Sequence, residues 1–471
     1  MELTELSAVH LQKQLRNGTA TAREVTEAFL DRAQSLSKLH AFHLLTPDRA
    51  RARARQLDKD RAAHPEKPLP LLWGIPIADK DVVNRAGVTT TFGSRAYADF
   101  VPNTNDPITD VLDFAGAVSI GKTAVPEFAM NGYTENMLFD PPENPWAPAH
   151  NVGGSSGGAA AAVSAHLLPV APGNDGGGSI RIPAAACGIV GLKPGRHRLP
   201  ADSMAAPLGG FVTSGPLGRN VADTALMFDA MMGRTDAHSL NSVLSARSSG
   251  TPRLRIGFSS RTPWTADYEV HASSAALDAL DAARGVLTDL GHTTLDYPLP
   301  YSEAFSEAFM TIWHVNMATL ELTDEQYALI EDMTRWAIES GRKRSGVDVA
   351  RAMAVLLDWQ RRCEAMFNDI DVFVQPTLAL PPRPLGWFSP TDPALNFRQQ
   401  VQYEPYTAWV NVAGLAAVSL PVALIDGLPM SVQLIAPRHS EDLLLALASQ
   451  VEDATESDTW EPDLMIFSSA L

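Results

Sequence analysis

The most constraining feature of this sequence is the stretch 150–194, where two serine sites flanked by glycines stand on either side of an alanine-rich run. The first site is GGSSGG at 153–158 and the second is GGGS at 176–179. Because glycine lacks a β-carbon, a serine between glycines can be held exposed in a backbone conformation that other residues avoid. Both loops are therefore candidates for a functional site.

The residues between the two serine sites predict a helix followed by a strand. Residues 159–165 predict a helix because alanine is the best helix former, and Ser155 or Ser156 can cap its start. Residues 167–171 predict a buried strand. This strand would deliver GNDGGGS as a loop at its carboxyl end.

The second glycine loop offers several backbone donors beside a serine hydroxyl. N–H groups from successive residues of such a loop converge on one point and suit an anion. A serine nucleophile needs that arrangement beside it, because the oxyanion of its intermediate must be stabilised. The N–H groups expected in this role are those of Gly176, Gly177, Gly178 and Ser179.

Other interpretations of GGSSGG stay open at this point. The stretch is also typical of a flexible linker, or of a phosphate-binding loop, although no phosphate-binding motif follows a strand here. Residues 154–158 match the G-x-S-x-G elbow of α/β-hydrolases, which would use Ser156 with an acid and a late histidine, His439. That elbow needs a strand directly before the serine, whereas NPWAP at 144–148 precedes it.

A lysine upstream changes the meaning of these serines. Lys80 ends the apolar run LWGIPIADKD, although a lone lysine is most often a solvated surface charge. Together, GIPIADKD at 74–81, GGSSGG, GNDGGGSIRIPAAACGIVGLKP at 173–194 and GLPMSVQLIA at 427–436 closely resemble the amidase signature family. The resemblance covers most of the chain.

The resemblance implies a Ser-cisSer-Lys triad, without a cofactor or a metal. Ser179 would be the nucleophile, Ser155 the bridging serine after a cis peptide bond, and Lys80 the base. Ser156 would support the geometry of Ser155. The resemblance also places three residues in the wall of the substrate pocket: Ala129, Met130 and Asn131.

This assignment is chemically consistent. A serine hydroxyl is a weak nucleophile until a base takes its proton. Lysine acts as a base only when neutral, so its pKa has to fall from about 10.4 towards about 7–8 through burial. Asp79 would oppose this fall if it pointed towards Lys80, and strand alternation is expected to turn it away.

Short apolar runs alternate with helical patterns, which predicts an α/β fold. The resemblance implies the amidase signature fold, with a central mixed β-sheet covered by helices on both faces. Residues 1–62 predict an N-terminal helical cover, and 63–235 the core with the triad. Residues 236–400 predict a variable, largely helical substrate-pocket region, and 401–471 the C-terminal part of the same core. The four parts are expected to form one domain.

Three further stretches carry expectations of their own. The polar residues 234–253 predict a loop. The region 300–368 is rich in aromatic residues and methionine, and such a stripe is usually core, but part of it is expected to line the pocket. GRHRLPADS at 195–203 departs from the usual continuation of the family, so we expect a rearranged loop there.

Composition and patterning exclude several partners. A formal net charge of −17 argues against nucleic acid. No apolar run of about 18 residues and no leader-like N-terminus occurs, so we expect no membrane association and a cytoplasmic location. Cys187 and Cys363 are too few for a disulfide framework. A homodimer is compatible with the sequence.

These observations predict a hydrolase that cleaves C–N bonds of small hydrophobic amides through an acyl-serine intermediate. Aryl amides are favoured, with carbamates and esters as further substrates, because the motifs are similar to those of bacterial aryl acylamidases, 6-aminohexanoate cyclic-dimer hydrolases and urethanases. One alternative is a hydrolase of cyclic or linear oligoamides, and another is a Ser-His-Asp esterase that uses Ser156. The glutamine-dependent tRNA amidotransferase subunit is not expected, since the sequence shows no basic face for tRNA.

Overall fold

Helices and strands alternate along the chain, as the sequence predicts. The computed structural model describes residues 2–200 and 208–467. The described residues contain eleven strands: β1 (Phe42–Leu45), β2 (Pro76–Lys80), β3 (Val118–Thr123), β4 (Val170–Asp175), β5 (Val190–Lys193), β6 (Thr213–Gly218), β7 (Arg255–Phe258), β8 (Thr293–Asp296), β9 (Val372–Pro376), β10 (Ala416–Ile425) and β11 (Leu428–Ala436).

The same residues contain sixteen α-helices, none of which is long and apolar enough to cross a membrane. They are α1 (Ala8–Asn17), α2 (Ala22–Ser35), α3 (Pro47–Ala63), α4 (Pro107–Phe114), α5 (Gly157–Ser164), α6 (Arg181–Ala186), α7 (Val221–Met231), α8 (His238–Ser249), α9 (Ser274–Asp289), α10 (Phe305–Met317), α11 (Asp324–Leu329), α12 (Asp332–Arg342), α13 (Gly346–Met366), α14 (Pro393–Tyr403), α15 (Ala408–Ala413) and α16 (Glu441–Thr455).

The strands form one large sheet and one small sheet, which confirms the mixed α/β class. Eight strands build the large sheet in the order β4-β6-β5-β10-β11-β9-β7-β8. In it β7 runs parallel to β8 and β9, and the other neighbours are antiparallel. The small sheet has the order β1-β3-β2, with β2 parallel to β3. The small sheet was not predicted as a separate unit.

Helices cover both faces of the large sheet. On β10, Val418 and Leu420 join the apolar core that contains α7, α9 and α16. Ala417, which directly precedes Val418, joins a second core that contains α10, α13 and α15. Because neighbouring residues of a strand point to opposite faces, these two cores lie on opposite sides of the sheet.

The predicted helical cover over 1–62 is wrong at one element. Its helices are present, and Thr21 and Glu24 form the expected capping box of α2. Residues Phe42–Leu45, however, form β1, which pairs antiparallel with β3. Leu45 lies opposite Gly121, where the absence of a side chain lets the two backbones approach. A four-residue strand whose partner lies so far along the chain carries little local signal.

The strand after the first serine site begins and ends later than predicted. Helix α5 confirms the alanine-rich helix, and His166 with φ 59° turns the chain out of it. Strand β4 then runs over Val170–Asp175 rather than 167–171. It pairs with β6 along its whole length, and its last residue, Asp175, lies opposite Thr213. Cross-strand pairing overrides the low strand propensity of Gly, Asn and Asp here. The loop before Ser179 is correspondingly shorter.

The predicted loop over 234–253 is a helix for most of its length. Helix α8 buries Leu240 and Val243 in the core. The carboxylate of Asp229 accepts hydrogen bonds from the backbone N–H groups of Ser239 and Leu240 at its start. Tertiary burial and this carboxylate stabilise α8, although the polar composition of the stretch predicts a loop. Residues 201–203 of the predicted rearranged loop lie outside the described residues.

Candidate active site

Lys80 is the last residue of β2, and its side chain is fully buried. Its Nζ donates to Ser155 Oγ at 2.7 Å and to the backbone oxygen of Asn174 at 3.4 Å, and it also contacts Asn174 Oδ1. The predicted base and bridging serine are thus in direct contact, although 75 residues separate them. Because Asn174 belongs to β4, Lys80 also links the small sheet to the large one.

Asp79 points away from Lys80, as strand alternation predicts. Its carboxylate accepts from Arg85 Nε at 2.6 Å and from Ser119 Oγ at 2.8 Å. Burial acts to raise the pKa of Asp79, but the Arg85 guanidinium outweighs burial and holds that pKa below its ordinary value. The negative charge next to the lysine in sequence is therefore compensated by a different cation.

The first serine loop is anchored to the second by backbone hydrogen bonds. The peptide bond between Gly154 and Ser155 is cis. Ser156 donates its backbone N–H to the carbonyl of Ser179 at 3.1 Å and its hydroxyl to the carbonyl of Asn174 at 3.3 Å. Ser155 and Ser156 are fully buried. The structure thus places Ser156 where it can hold the neighbouring serine and the second loop together.

The loop that carries Ser179 has three available backbone donors rather than four. The Gly178 N–H donates to Asp175 Oδ1 at 2.7 Å, so it is already engaged. The N–H groups of Gly176, Gly177 and Ser179 donate to no acceptor among the residues that the structure describes. Of the four N–H groups expected to form an oxyanion hole, three are therefore available to an incoming oxyanion.

A buried ion pair between Asp175 and Arg181 anchors the loop that carries Ser179. Asp175 accepts from Arg181 Nε and Nη2, both at 3.0 Å, and from Asn411 Nδ2 at 2.8 Å. Asp175 and Arg181 are fully buried. Burial acts to raise the pKa of Asp175, but Arg181 outweighs it and lowers that pKa to about 2. A carboxylate that is ionised at neutral pH therefore accepts the Gly178 N–H.

Thr407, the residue directly before α15, also anchors the loop that carries Ser179. Thr407 Oγ1 donates to the carbonyl of Gly177 at 2.6 Å. Gly178 has φ +138°, and a β-carbon there would lie 2.3 Å from Thr407 Oγ1. Only glycine fits between the loop and this threonine.

Two clefts meet at Ser179, which is 9% exposed. The first, here called the aromatic cleft, encloses about 500 Å³. Its walls are Met130, Asn131, Gly132, Gly177, Ser179, Ile182, Trp264, Phe309, Trp313, Phe397, Gln400, Val401, Glu404 and Ala408. The second, the apolar cleft, encloses about 550 Å³. Its walls are Phe128, Ala129, Met130, Ser155, Asn174, Gly176, Ser179, Phe211, Val212, Trp313, Asn316 and Met317.

These walls contain every pocket residue expected from the sequence. Ala129 lines the apolar cleft, Asn131 lines the aromatic cleft, and Met130 lines both. Part of the aromatic and methionine-rich stripe also reaches the clefts, with Trp313 between them. Other members of the stripe, such as Phe305 and Trp359, are core, whereas Tyr301 is exposed.

Sequence reasoning missed several residues of the site. Asn174 and Asp175 lie inside the GNDGGGS motif, where their polar side chains next to the loop were an available signal. Trp264, Phe397 and Glu404 carry no such signal, because they come from separate segments that only the fold brings together.

The arrangement needed for a Ser-His-Asp esterase is not found around Ser156. His439 is exposed and lines neither of the two clefts. The Ser156 hydroxyl is buried and donates to a backbone carbonyl. Among the described residues, no group of three His, Cys, Asp or Glu side chains could hold a metal ion.

Comparison with known proteins agrees with this geometry. Residues 24–445 match the Amidase family. The chain is 37% identical to the putative amidase AmiB2 of Mycobacterium tuberculosis, covering 96% of this chain and 98% of that protein. It is 33% identical to an acylamidase of Rhodococcus erythropolis, over 93% of both chains. It is also 33% identical to a glutamyl-tRNA(Gln) amidotransferase subunit from Synechococcus, over 96% of this chain and 98% of that one.

Solved structures give the same result. The fold matches 6-aminohexanoate cyclic dimer hydrolase with a TM-score of 0.86 and 26% identity, covering 99% of this chain and all of that one. A bacterial aryl acylamidase of the amidase signature family matches with a TM-score of 0.83 and 25% identity, over 96% of both chains. The chain therefore belongs to the amidase signature family and is an amide-hydrolysing enzyme that cleaves C–N bonds.

Proposed function

We propose that this amidase hydrolyses small hydrophobic amides, and aryl amides above all, through an acyl-enzyme on Ser179. The observation that carries the proposal is the 2.7 Å hydrogen bond from Lys80 Nζ to Ser155 Oγ, at the wall of a cleft that also contains Ser179. A buried lysine next to a serine supplies the base that a second serine needs to become a nucleophile.

In the first half-reaction, Ser179 Oγ attacks the carbonyl carbon of the amide. Its proton passes to Ser155 Oγ as the proton of Ser155 passes to neutral Lys80. The negative oxygen of the tetrahedral intermediate is stabilised by the N–H groups of Gly176, Gly177 and Ser179. The same path, run backwards, protonates the amine nitrogen as the C–N bond breaks, leaving an ester on Ser179 and Lys80 neutral again.

In the second half-reaction, water takes the place of the amine. It loses a proton to Ser155 and Lys80 as its oxygen attacks the ester carbonyl. The returning proton goes to Ser179 Oγ, and the carboxylic acid leaves. Amine leaving groups depart badly without a proton, so the Lys80 path matters more for amides than for esters.

The position of Ser155 assigns a half of the substrate to each cleft. Ser155 lines the apolar cleft but not the aromatic cleft. Since the departing amine must take its proton from Ser155, the amine lies in the apolar cleft and the acyl group in the aromatic cleft. Phe128, Phe211 and Met317 line the apolar cleft and offer the surface that an aryl amine would bury.

A cyclic or linear oligoamide is the second candidate substrate. It is favoured by the likeness to 6-aminohexanoate cyclic dimer hydrolase, whose chain is matched over its whole length. Carbamates and esters present the same carbonyl to Ser179, so we propose them as further substrates.

We further propose that the enzyme works in the cytoplasm without a nucleic-acid partner. A net charge of −17 opposes binding of tRNA, which the name of the amidotransferase relatives implies for those proteins. Activity of the isolated chain, alone or as a homodimer, on an anilide would support this assignment. A requirement for a different subunit would contradict it.

The test of the proposed activity is a substrate panel on wild type and on Ser179→Ala. The panel holds p-nitroanilides, aryl carbamates, aryl esters, primary amides and the cyclic dimer of aminohexanoate. We expect the anilides to have the highest kcat/KM among the amides, because the apolar cleft takes the aryl amine. Preference for primary amides would overturn the aryl assignment, and anilide cleavage retained in Ser179→Ala would overturn the nucleophile.

A further inference from the structure

A carboxyl group lies in the aromatic cleft without a partner. Glu404 directly follows α14, and its side chain is half-buried against Gly132. No described residue donates a hydrogen bond or forms an ion pair with either carboxyl oxygen, and Oε2 is shielded from solvent. A β-carbon on Gly132 would overlap this carboxyl, so glycine at 132 makes room for it.

The neighbouring polar side chains are all occupied with one another. Gln400 Nε2 donates to Asn396 Oδ1 at 2.7 Å and to Asn131 Oδ1 at 3.3 Å. Gln400 Oε1 accepts the Gly132 N–H at 2.9 Å, and Asn396 Nδ2 donates to the hydroxyl of Tyr133 at 2.7 Å. The side chains of this network bond to one another and to Gly132, and none of them donates to the carboxyl of Glu404. A shielded carboxyl without a donor is costly, which points to a ligand that supplies one.

Aromatic rings line the same cleft as the carboxyl. The ring centroids of Trp264 and Phe309 are 5.3 Å apart, those of Phe309 and Trp313 are 5.5 Å apart, and those of Trp264 and Phe397 are 6.0 Å apart. The faces of aromatic rings attract cations, most strongly in a site with little water. The described lining of the cleft contains no lysine or arginine that could occupy this position.

We propose that Glu404 and these rings bind an ammonium group on the acyl part of the substrate, so that the preferred substrates are amides of amino acids. The inference rests on the proposed function, because it uses the assignment of the acyl group to the aromatic cleft. Ser179 and Glu404 line the same cleft, so one acyl group can reach both of them.

The charge state of the empty cleft agrees with this assignment. Burial raises the pKa of Glu404 well above its ordinary value, and the negative charge of Asp175 acts in the same direction. A bound ammonium supplies the missing positive charge and lowers that pKa again. The result is a charge-assisted hydrogen bond inside the aromatic cleft.

The first experiment compares kcat/KM for three pairs of p-nitroanilides. Each pair holds one ω-aminoacyl compound and its methyl isostere: glycyl with propionyl, γ-aminobutyryl with pentanoyl, and ε-aminohexanoyl with heptanoyl. In at least one pair, wild type should prefer the ammonium compound by about tenfold or more, as expected for a hydrogen bond between charged groups. Glu404→Gln should lower that ratio by about tenfold.

The matched control is Glu135→Gln, which alters a half-buried carboxyl outside both clefts. Glu135 accepts a hydrogen bond from the backbone N–H of Gly386. The ratio within each pair should stay at its wild-type value in this variant. Equal ratios in wild type, Glu404→Gln and Glu135→Gln would overturn the proposal.

The second experiment measures binding without catalysis. Calorimetry should show that wild type and Ser179→Ala bind hexylammonium at least about tenfold more tightly than hexanol, and that Glu404→Gln loses this preference. Anilide cleavage without ammonium binding would overturn the inference and leave the proposed function standing. Ammonium binding without anilide cleavage would uphold the cation site and overturn the proposed function.

Discussion

The catalytic loops and the aromatic cleft differ in how their polar groups are satisfied. Around the serines, Lys80, Ser155 and Asn174 hold one another, and Asp175 is saturated by donors. In the aromatic cleft the carboxyl of Glu404 has no described donor, and most of the wall is apolar. On the proposed function, this difference means that the groups assigned to the chemistry are preorganised without a substrate, whereas the group assigned to selectivity gains its partner from the substrate.

Replacing Ser179, the proposed nucleophile, should have the largest effect on activity. Ser179→Ala removes the atom that attacks the carbonyl, so kcat for every amide should fall by at least about a thousandfold. Steady-state assays on anilides, carbamates and esters check this. A variant that keeps a tenth of wild-type activity on any of them would contradict the role of Ser179.

Replacing Lys80, the proposed base, should lower activity on amides more than activity on esters. Lys80→Met keeps an apolar chain of similar length but removes the amine, and kcat for anilides should fall by about a hundredfold or more. Aryl esters should lose less, because their leaving group departs without a proton. The control is His439→Ala, which should retain wild-type turnover. Loss of activity in the histidine variant instead of the lysine variant would favour the esterase alternative.

The ion pair between Asp175 and Arg181, next to the loop that carries Ser179, is predicted to stabilise the fold. Asp175→Asn leaves the buried Arg181 without its counterion, so the free energy of unfolding should fall by about 3–5 kcal/mol. Urea unfolding measures this loss. A change below about 1 kcal/mol would show that the pair does not hold the loop.

The Asp175–Arg181 pair also predicts that the free energy of unfolding decreases as the pH falls. Because the pKa of Asp175 is lowered from 3.8 to about 2, its ionised form stabilises the fold above pH about 4. This contribution is lost as the pH falls towards about 2. The gap in unfolding free energy between wild type and Asp175→Asn should therefore narrow over that range. A gap that stays constant or widens would contradict the lowered pKa.

The smallest expected effect tests the apolar cleft itself. A β-carbon on Gly176 would lie 3.0 Å from Val212 and 3.5 Å from the ring of Trp313, so Gly176→Ala narrows this cleft. The kcat/KM ratio of a bulky anilide to a primary amide should fall about threefold to tenfold. Gly177→Ala is the matched control, because its β-carbon would meet nothing closer than 3.9 Å. If Gly176→Ala and Gly177→Ala have equal kcat/KM ratios, the amine binds outside the apolar cleft.

Short motifs made much of the core predictable from the sequence. The roles of Lys80, Ser155 and Ser179 follow from the resemblance that their motifs carry. The structure places Lys80 in contact with Ser155, and Ser155 and Ser179 in the lining of one cleft. Helix α7 and strand β11 also follow their local hydrophobic patterns.

The remainder depends on long-range contacts that no local pattern records. Strand β1 exists because β3 is there to pair with it, and α8 exists because the core buries its apolar side. Gly178 was expected among the oxyanion donors, and only the position of Asp175 shows that its N–H is engaged. Glu404 meets Gly132 across more than half of the chain.

The most direct test of the central claim is the mapping of a fluorophosphonate adduct by mass spectrometry of digested protein. The account predicts a single adduct on Ser179 in wild type, none in Ser179→Ala, and slower labelling of Ser179 in Lys80→Met. An adduct on Ser156, or labelling of Ser179 at an unchanged rate without Lys80, would contradict it.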